Sequence, residues 1–139
     1  MTDRLLQRYT GNGRRAEEPF ENGLAPETDA ADDFGAFGWL RGIRERAVML
    51  ELRRKDGNIL AVGYGFLDKV AFDPSEGITL SVAGQKIRLK GRNLNAEVRP
   101  TIRLFEGIAR HRIPWIREAD HHEGLTAADG APVVDGMDW

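Results

Sequence analysis

The sequence predicts a mainly β domain: a small, strongly bent antiparallel β-barrel with one C-terminal helix, set between two acidic ends. Three observations predict it. Val48, Leu50 and Leu52 alternate with Met49, Glu51 and Arg53, and apolar and polar residues alternate over 78–82 and 86–90, which is the period of a half-buried strand. Clusters rich in Gly, Asp, Asn and Pro separate these runs at short intervals, as hairpin-linked strands require. Charge is also sorted by region. Residues 35–118 hold 16 Lys and Arg against 9 Asp and Glu, residues 1–34 hold 4 against 8, and residues 119–139 hold none against 5. The net charge of −2 therefore hides a body of +7 between ends of −4 and −5. An open antiparallel sheet packed on the helix, an α+β arrangement, is the competing architecture.

Taken in order, residues 1–35 read as a flexible acidic lead. Phe20, Leu24 and Phe34 are isolated apolar points there, too few to offset the entropy of ordering the chain. Phe37 to Ile43 reads as a short amphipathic helix on the mouth of the barrel. Val48, Leu50 and Leu52 form one face of a first strand, and Asp56-Gly57 supplies a tight hairpin turn to a return strand from Ile59 to Phe66. Gly63 and Gly65 within that strand suggest a bend. Val70 and Phe72 mark a third strand, stopped at Asp73-Pro74-Ser75-Glu76-Gly77. Ile78, Leu80 and Val82 point one way while Thr79 and Ser81 point the other. Ile87 and Leu89 alternate with Lys86, Arg88 and Lys90. After Pro100 the period lengthens, and Ile102, Phe105, Ile108 and Ala109 predict one face of a helix over 101–110. His111 to Arg117 reads as extended, with Ile113 and Trp115 on one face. The domain thus runs over 36–118, which holds every periodic apolar position. Residues 119–139 read as a flexible acidic tail.

Two segments of this chain resemble a known family. Val48 to Gly57 with Leu67-Asp68, and then Ile87-Arg88-Leu89-Lys90-Gly91-Arg92-Asn93-Leu94, are similar to the two halves of the Sm-like motif, over roughly residues 38–95. The resemblance implies an SH3-like or Sm-like barrel that assembles into rings and binds single-stranded RNA through the loops bearing these segments. The pattern departs from the family at Val70, Ala71 and Phe72, where an Asn is expected. Asp73 to Gly77 also resembles the Asp-x-Ser-x-x-Gly element of PilZ domains, one residue short. Without the Arg-x-x-x-Arg that precedes it in that family, the segment reads as a turn.

Lys86, Arg88, Lys90 and Arg92, with Gly91 and Asn93, form the candidate nucleic-acid-binding set. Bases at alternate strand positions can track phosphates, and Tyr64, Phe66 or Trp115 could offer a stacking surface. An ordinary solvated sheet face is the competing explanation. Asp135, Asp138 and Trp139 form a second candidate set, for a protein partner. An acidic tail ending in an aromatic is similar to the tips of bacterial single-stranded-DNA-binding proteins, and here it would also compete for the basic body. His111, His121 and His122 lack a spacing that makes a rigid metal site. No nucleophile elbow or phosphate-binding loop is present, and the chain has no Cys. The expectation is a non-enzymatic binding module without cofactor or metal. It would be cytoplasmic and self-associating, with single-stranded nucleic acid as partner and no membrane contact. A protein-interaction or assembly module of unknown role is the rival.

Overall fold

The computed structural model describes residues 31–139. The acidic lead expected over 1–35 lies almost entirely outside these residues. The described chain is mainly β, with nine strands in three sheets and two short helices. β1 (Ala31–Asp33) and β2 (Gly38–Leu40) form a two-stranded sheet. A three-stranded sheet has the order β4 (Ile59–Gly63), β3 (Met49–Arg53), β8 (Trp115–Arg117). A four-stranded sheet has the order β5 (Leu67–Asp73), β6 (Gly77–Val82), β7 (Gln85–Arg92), β9 (Val133–Asp138). The helices are α1 (Leu104–Ala109) and α2 (His121–Thr126).

None of the sheets closes, so the barrel expected from the sequence is not formed. Two local causes divide it. The return strand expected over Ile59 to Phe66 stops at Gly63, and Tyr64–Phe66 makes a single 3-10 turn, so β4 and β5 belong to different sheets. Strand β8 then pairs in parallel with β3, Glu51 opposite Trp115 and Leu52 opposite Ile116, where the expected antiparallel barrel would place an antiparallel neighbour. The single C-terminal helix is likewise replaced by two helices of six residues each.

Within this frame the hairpins follow their turn chemistry. β3 and β4 pair antiparallel, Leu50 with Val62 and Leu52 with Leu60. In their connection the Asp56 carboxylate accepts from the Asn58 N–H at 2.9 Å, and Gly57 takes the positive φ of 96° that a side chain resists. Asp73 plays the same part before β6, accepting from the Ser75 N–H at 2.8 Å and the Ser75 hydroxyl at 2.7 Å. Those bonds hold the exposed Asp73 carboxyl below its ordinary range. The strands from β5 to β7 form a meander in which Ile78, Leu80, Ile87 and Leu89 are fully buried.

Three elements differ from their sequence reading. Phe37 to Ile43 is not a helix: β2 occupies its centre, and all three of its residues are buried. Helix α1 turns Leu104, Gly107 and Ile108 inward, whereas Ala109 is exposed. Gly107 is there because a Cβ would stand 2.6 Å from both Ile113 and Trp39. In β8 the buried residue is Ile116, and Trp115 is only half-buried, with the Arg53 guanidinium 5.0 Å from its ring centre.

The tail over 119–139 departs most from expectation. Asp120 and Glu123 cap α2 reciprocally: the Asp120 carboxylate accepts from the Glu123 N–H at 2.8 Å, and the Glu123 carboxylate accepts from the Asp120 N–H at 3.0 Å. Strand β9 then adds to β7 and buries Val133, Val134 and Met137 in the core. The segment read as a flexible acidic tail supplies the fourth strand of the largest sheet.

Candidate nucleic-acid interface

Strand β7 alternates strictly up to Lys90. Ile87 and Leu89 enter the core, so Lys86, Arg88 and Lys90 must leave from the opposite face, at intervals of about 7 Å. On β6, Thr79 lies beside Arg88 and Ser81 beside Lys86. On β9, Asp138 lies opposite Arg88 and Gly136 opposite Lys90. The result is a face with three bases in a central row and small hydroxyl side chains on one flank. An open depression of about 290 Å³ lies on it, lined by Thr79, Lys86, Arg88, Asp138 and Trp139.

The row is not bare. The Lys90 ammonium lies 3.0 Å from the Asp138 carboxylate, and the Arg88 guanidinium 3.0 Å from that of Glu76. All four side chains are well exposed, so each pair contributes little to stability and remains open to exchange. Among the described residues, Lys86 has no carboxylate within ion-pair reach.

The other three members of the expected set serve the fold. Between Lys90 and Gly91 the β7–β9 ladder slips by one residue, so that Gly136 faces Lys90, Val134 faces Gly91, and Asp135 is left bulged and exposed. At this point the backbone of Val133 presses on Gly91, and any Cβ there would collide with the Val133 carbonyl oxygen. The Arg92 guanidinium donates to the Gly124 carbonyl, and the Asn93 amide donates to the Ala131 carbonyl at 3.1 Å. Both hold the 124–131 connection against the end of β7.

The tail residues are also engaged. Trp139 lies under Arg54, whose guanidinium carbon is 3.7 Å from the ring centre. The same guanidinium donates to the Met137 carbonyl at 3.1 Å. Arg54 thus joins the end of β3 to the end of β9, a contact that no sequence spacing announces. Of the expected stacking residues, Tyr64 is buried and donates its hydroxyl to the Ile113 carbonyl at 2.6 Å, and burial pushes its pKa up. His111 stacks on it at 4.5 Å. Phe66 is 66% exposed, but it stands by Gly63 and Met49, not on the basic face. Among the described residues no three His, Cys, Asp or Glu side chains gather as metal ligands, and no helix is long and apolar enough to cross a membrane.

No family model matches this chain, and neither a curated protein nor a solved structure does.

Proposed function

We propose that this chain is a non-enzymatic binding module that takes the phosphate backbone of single-stranded RNA on the outward face of β6, β7 and β9. One observation carries the reading: Lys86, Arg88 and Lys90 leave a single exposed face at regular intervals, beside a depression walled by Trp139. Regularly spaced cations release counterions on binding a polyanion, and an aromatic wall offers a base a surface to stack on. Asp138 and Glu76 act as built-in counter-ions that an incoming phosphate displaces. The competition expected of a flexible tail is thereby carried by a fixed strand.

The test is filter binding of a uridine-rich RNA oligomer over a salt series. Replacing Lys86, Arg88 and Lys90 with Ala should weaken binding across sequences. It should also flatten the slope of log affinity against log salt by about one unit for each lost contact. Asp138→Asn should tighten binding, most strongly at low salt, where the pair with Lys90 is least screened. An unchanged slope in the triple variant removes this face as the binding surface. A second reading, an assembly module with no nucleic-acid partner, is favoured by the exposed apolar side chains of Ile43, Val48, Met49, Ile59 and Phe66. RNA binding absent at low salt would favour it.

A further inference from the structure

The two larger sheets have four edges, and three are attended. Outside β8, Phe37 bridges Ile116 and the Arg117 N–H donates to the Ala36 carbonyl at 2.8 Å. Outside β9, the Ala119 N–H donates to the Val134 carbonyl at 2.7 Å. Beside β5 lies α1, with Phe72 and Phe105 ring centres 6.4 Å apart. The fourth edge is β4, which pairs with β3 alone among the described residues.

Edges that stay unpaired are ordinarily guarded by Lys, Pro or a bulge. Ile59-Leu60-Ala61-Val62-Gly63 has none of these, and its register with β3 runs without a break. Leu60 and Val62 face fully buried partners, Leu52 and Leu50, yet remain half-exposed. On the outward face Ile59 is 60% exposed at one end of the strand. At the other end Gly63 is roofed by Phe66: a Cβ there would lie 3.1 Å from the Phe66 ring and 3.7 Å from the Met49 sulfur, and both of these apolar side chains are exposed. The strand therefore has an exposed apolar side chain, Ile59, at its start and an exposed apolar pair, Phe66 and Met49, over its finish.

We propose that β4 pairs antiparallel with β4 of a second copy of this chain, about a two-fold axis at Ala61, joining two three-stranded sheets into one of six strands. Such pairing sets Ile59 opposite the partner's Gly63, and Leu60 opposite the partner's Val62. Each Ile59 then packs against the partner's exposed Phe66 and Met49. The two-fold makes this fit twice, which is the requirement for an isologous contact. Charge does not oppose it. Glu51 and Arg53, the ionic side chains of neighbouring β3, pair with each other at 3.0 Å. A five-residue edge is short, and the contact belongs to the small, transient class below about 1,200 Å². The surface is separate from Lys86, Arg88 and Lys90, so this inference stands or falls apart from RNA binding.

The full chain should be followed by sedimentation equilibrium from about 1 to about 500 µM, a range that brackets dissociation constants of a transient contact. A monomer–dimer equilibrium is expected. Ala61→Lys, which sets two ammonium groups across the axis from an exposed position, should raise the dissociation constant at least about tenfold with the thermal midpoint kept. Ile59→Lys serves as the second variant if the first fails to fold. Register is read by thiols in a chain that otherwise has none. Ala61→Cys should oxidise to a covalent dimer, with oxidised glutathione taking the two electrons, because directly opposed strand positions lie within disulfide reach. Ile59→Cys should not, since its own copy would lie about 14 Å away. A monomer throughout the range overturns the proposal. So does a dimer indifferent to Ala61→Lys and Ile59→Lys, or one in which Ala61→Cys fails to cross-link, since either requires another interface.

Discussion

Single residues decide where this chain departs from a plain alternating sheet. Gly91 is the clearest example. In the sequence it resembles the glycine of an RNA-binding motif, beside Arg92 and Asn93. In the fold it admits the Val133 backbone where the β7–β9 ladder slips. Gly91→Ala should therefore cost about 2 kcal/mol or more by forcing β9 away from β7, measured as a lowered denaturation midpoint. A glycine kept only for a ligand would leave stability almost unchanged. Arg54 shows the opposite case, a residue without any sequence signal that gathers distant parts. Its guanidinium covers Trp139 and binds the Met137 carbonyl, 83 positions along the chain. Glu118 is similar: it is the buried charge among the described residues, and its carboxylate accepts from the Lys55 N–H at 2.9 Å, fixing the turn after β3. Contacts of this kind depend on which strands become neighbours, and periodicity carries no information about that.

At the scale of elements, what the sequence revealed is what local chemistry controls. The Asp56-Gly57 hairpin, the Asp73 turn and the alternation of β6 and β7 depend on residues within a few positions of one another, and they are found as expected. Lys86, Arg88 and Lys90 were legible for the same reason. The tail was misread because its apolar residues, Val133, Val134 and Met137, are few and broken by Asp135 and Gly136, and the bulge spoils the period of two. β9 is consequently a structural element, and a chain lacking residues 133–139 should lose its cooperative thermal transition instead of folding as a trimmed body. Retention of a sharp transition after that deletion would show β9 to be an accessory. Helix α2 adds a pH signature. The Asp120 N–H and the Arg117 guanidinium, at 2.9 Å, hold the Glu123 carboxyl below its ordinary value of 4.5. A depressed carboxyl stabilises the fold above that ordinary value, and the contribution is lost as pH falls through the folded value. The protection of amides 121–126 against exchange, relative to their unfolded rates, should fall on acidification below about pH 4.5, before the body unfolds. In Glu123→Gln that step should disappear.

For the whole molecule, surface and connectivity pull in different directions. The basic face lies on the four-stranded sheet and the open edge on the three-stranded one. A dimer through β4 would thus present two copies of the basic face, and a strand long enough to reach both would be held more tightly than one copy allows. The parallel pairing of β3 with β8 has a consequence for time instead of strength. Strands β5, β6 and β7 are sequential neighbours joined by tight turns, whereas Glu51 must wait for Trp115 and Leu89 for Met137. Closing such long loops costs entropy before any contact rewards it, so the central meander can organise early while β8 and β9 dock late. Lesions in those two strands should then leave the refolding rate almost untouched and appear as faster unfolding. The lifetime of the native state is set by the two segments that arrive last.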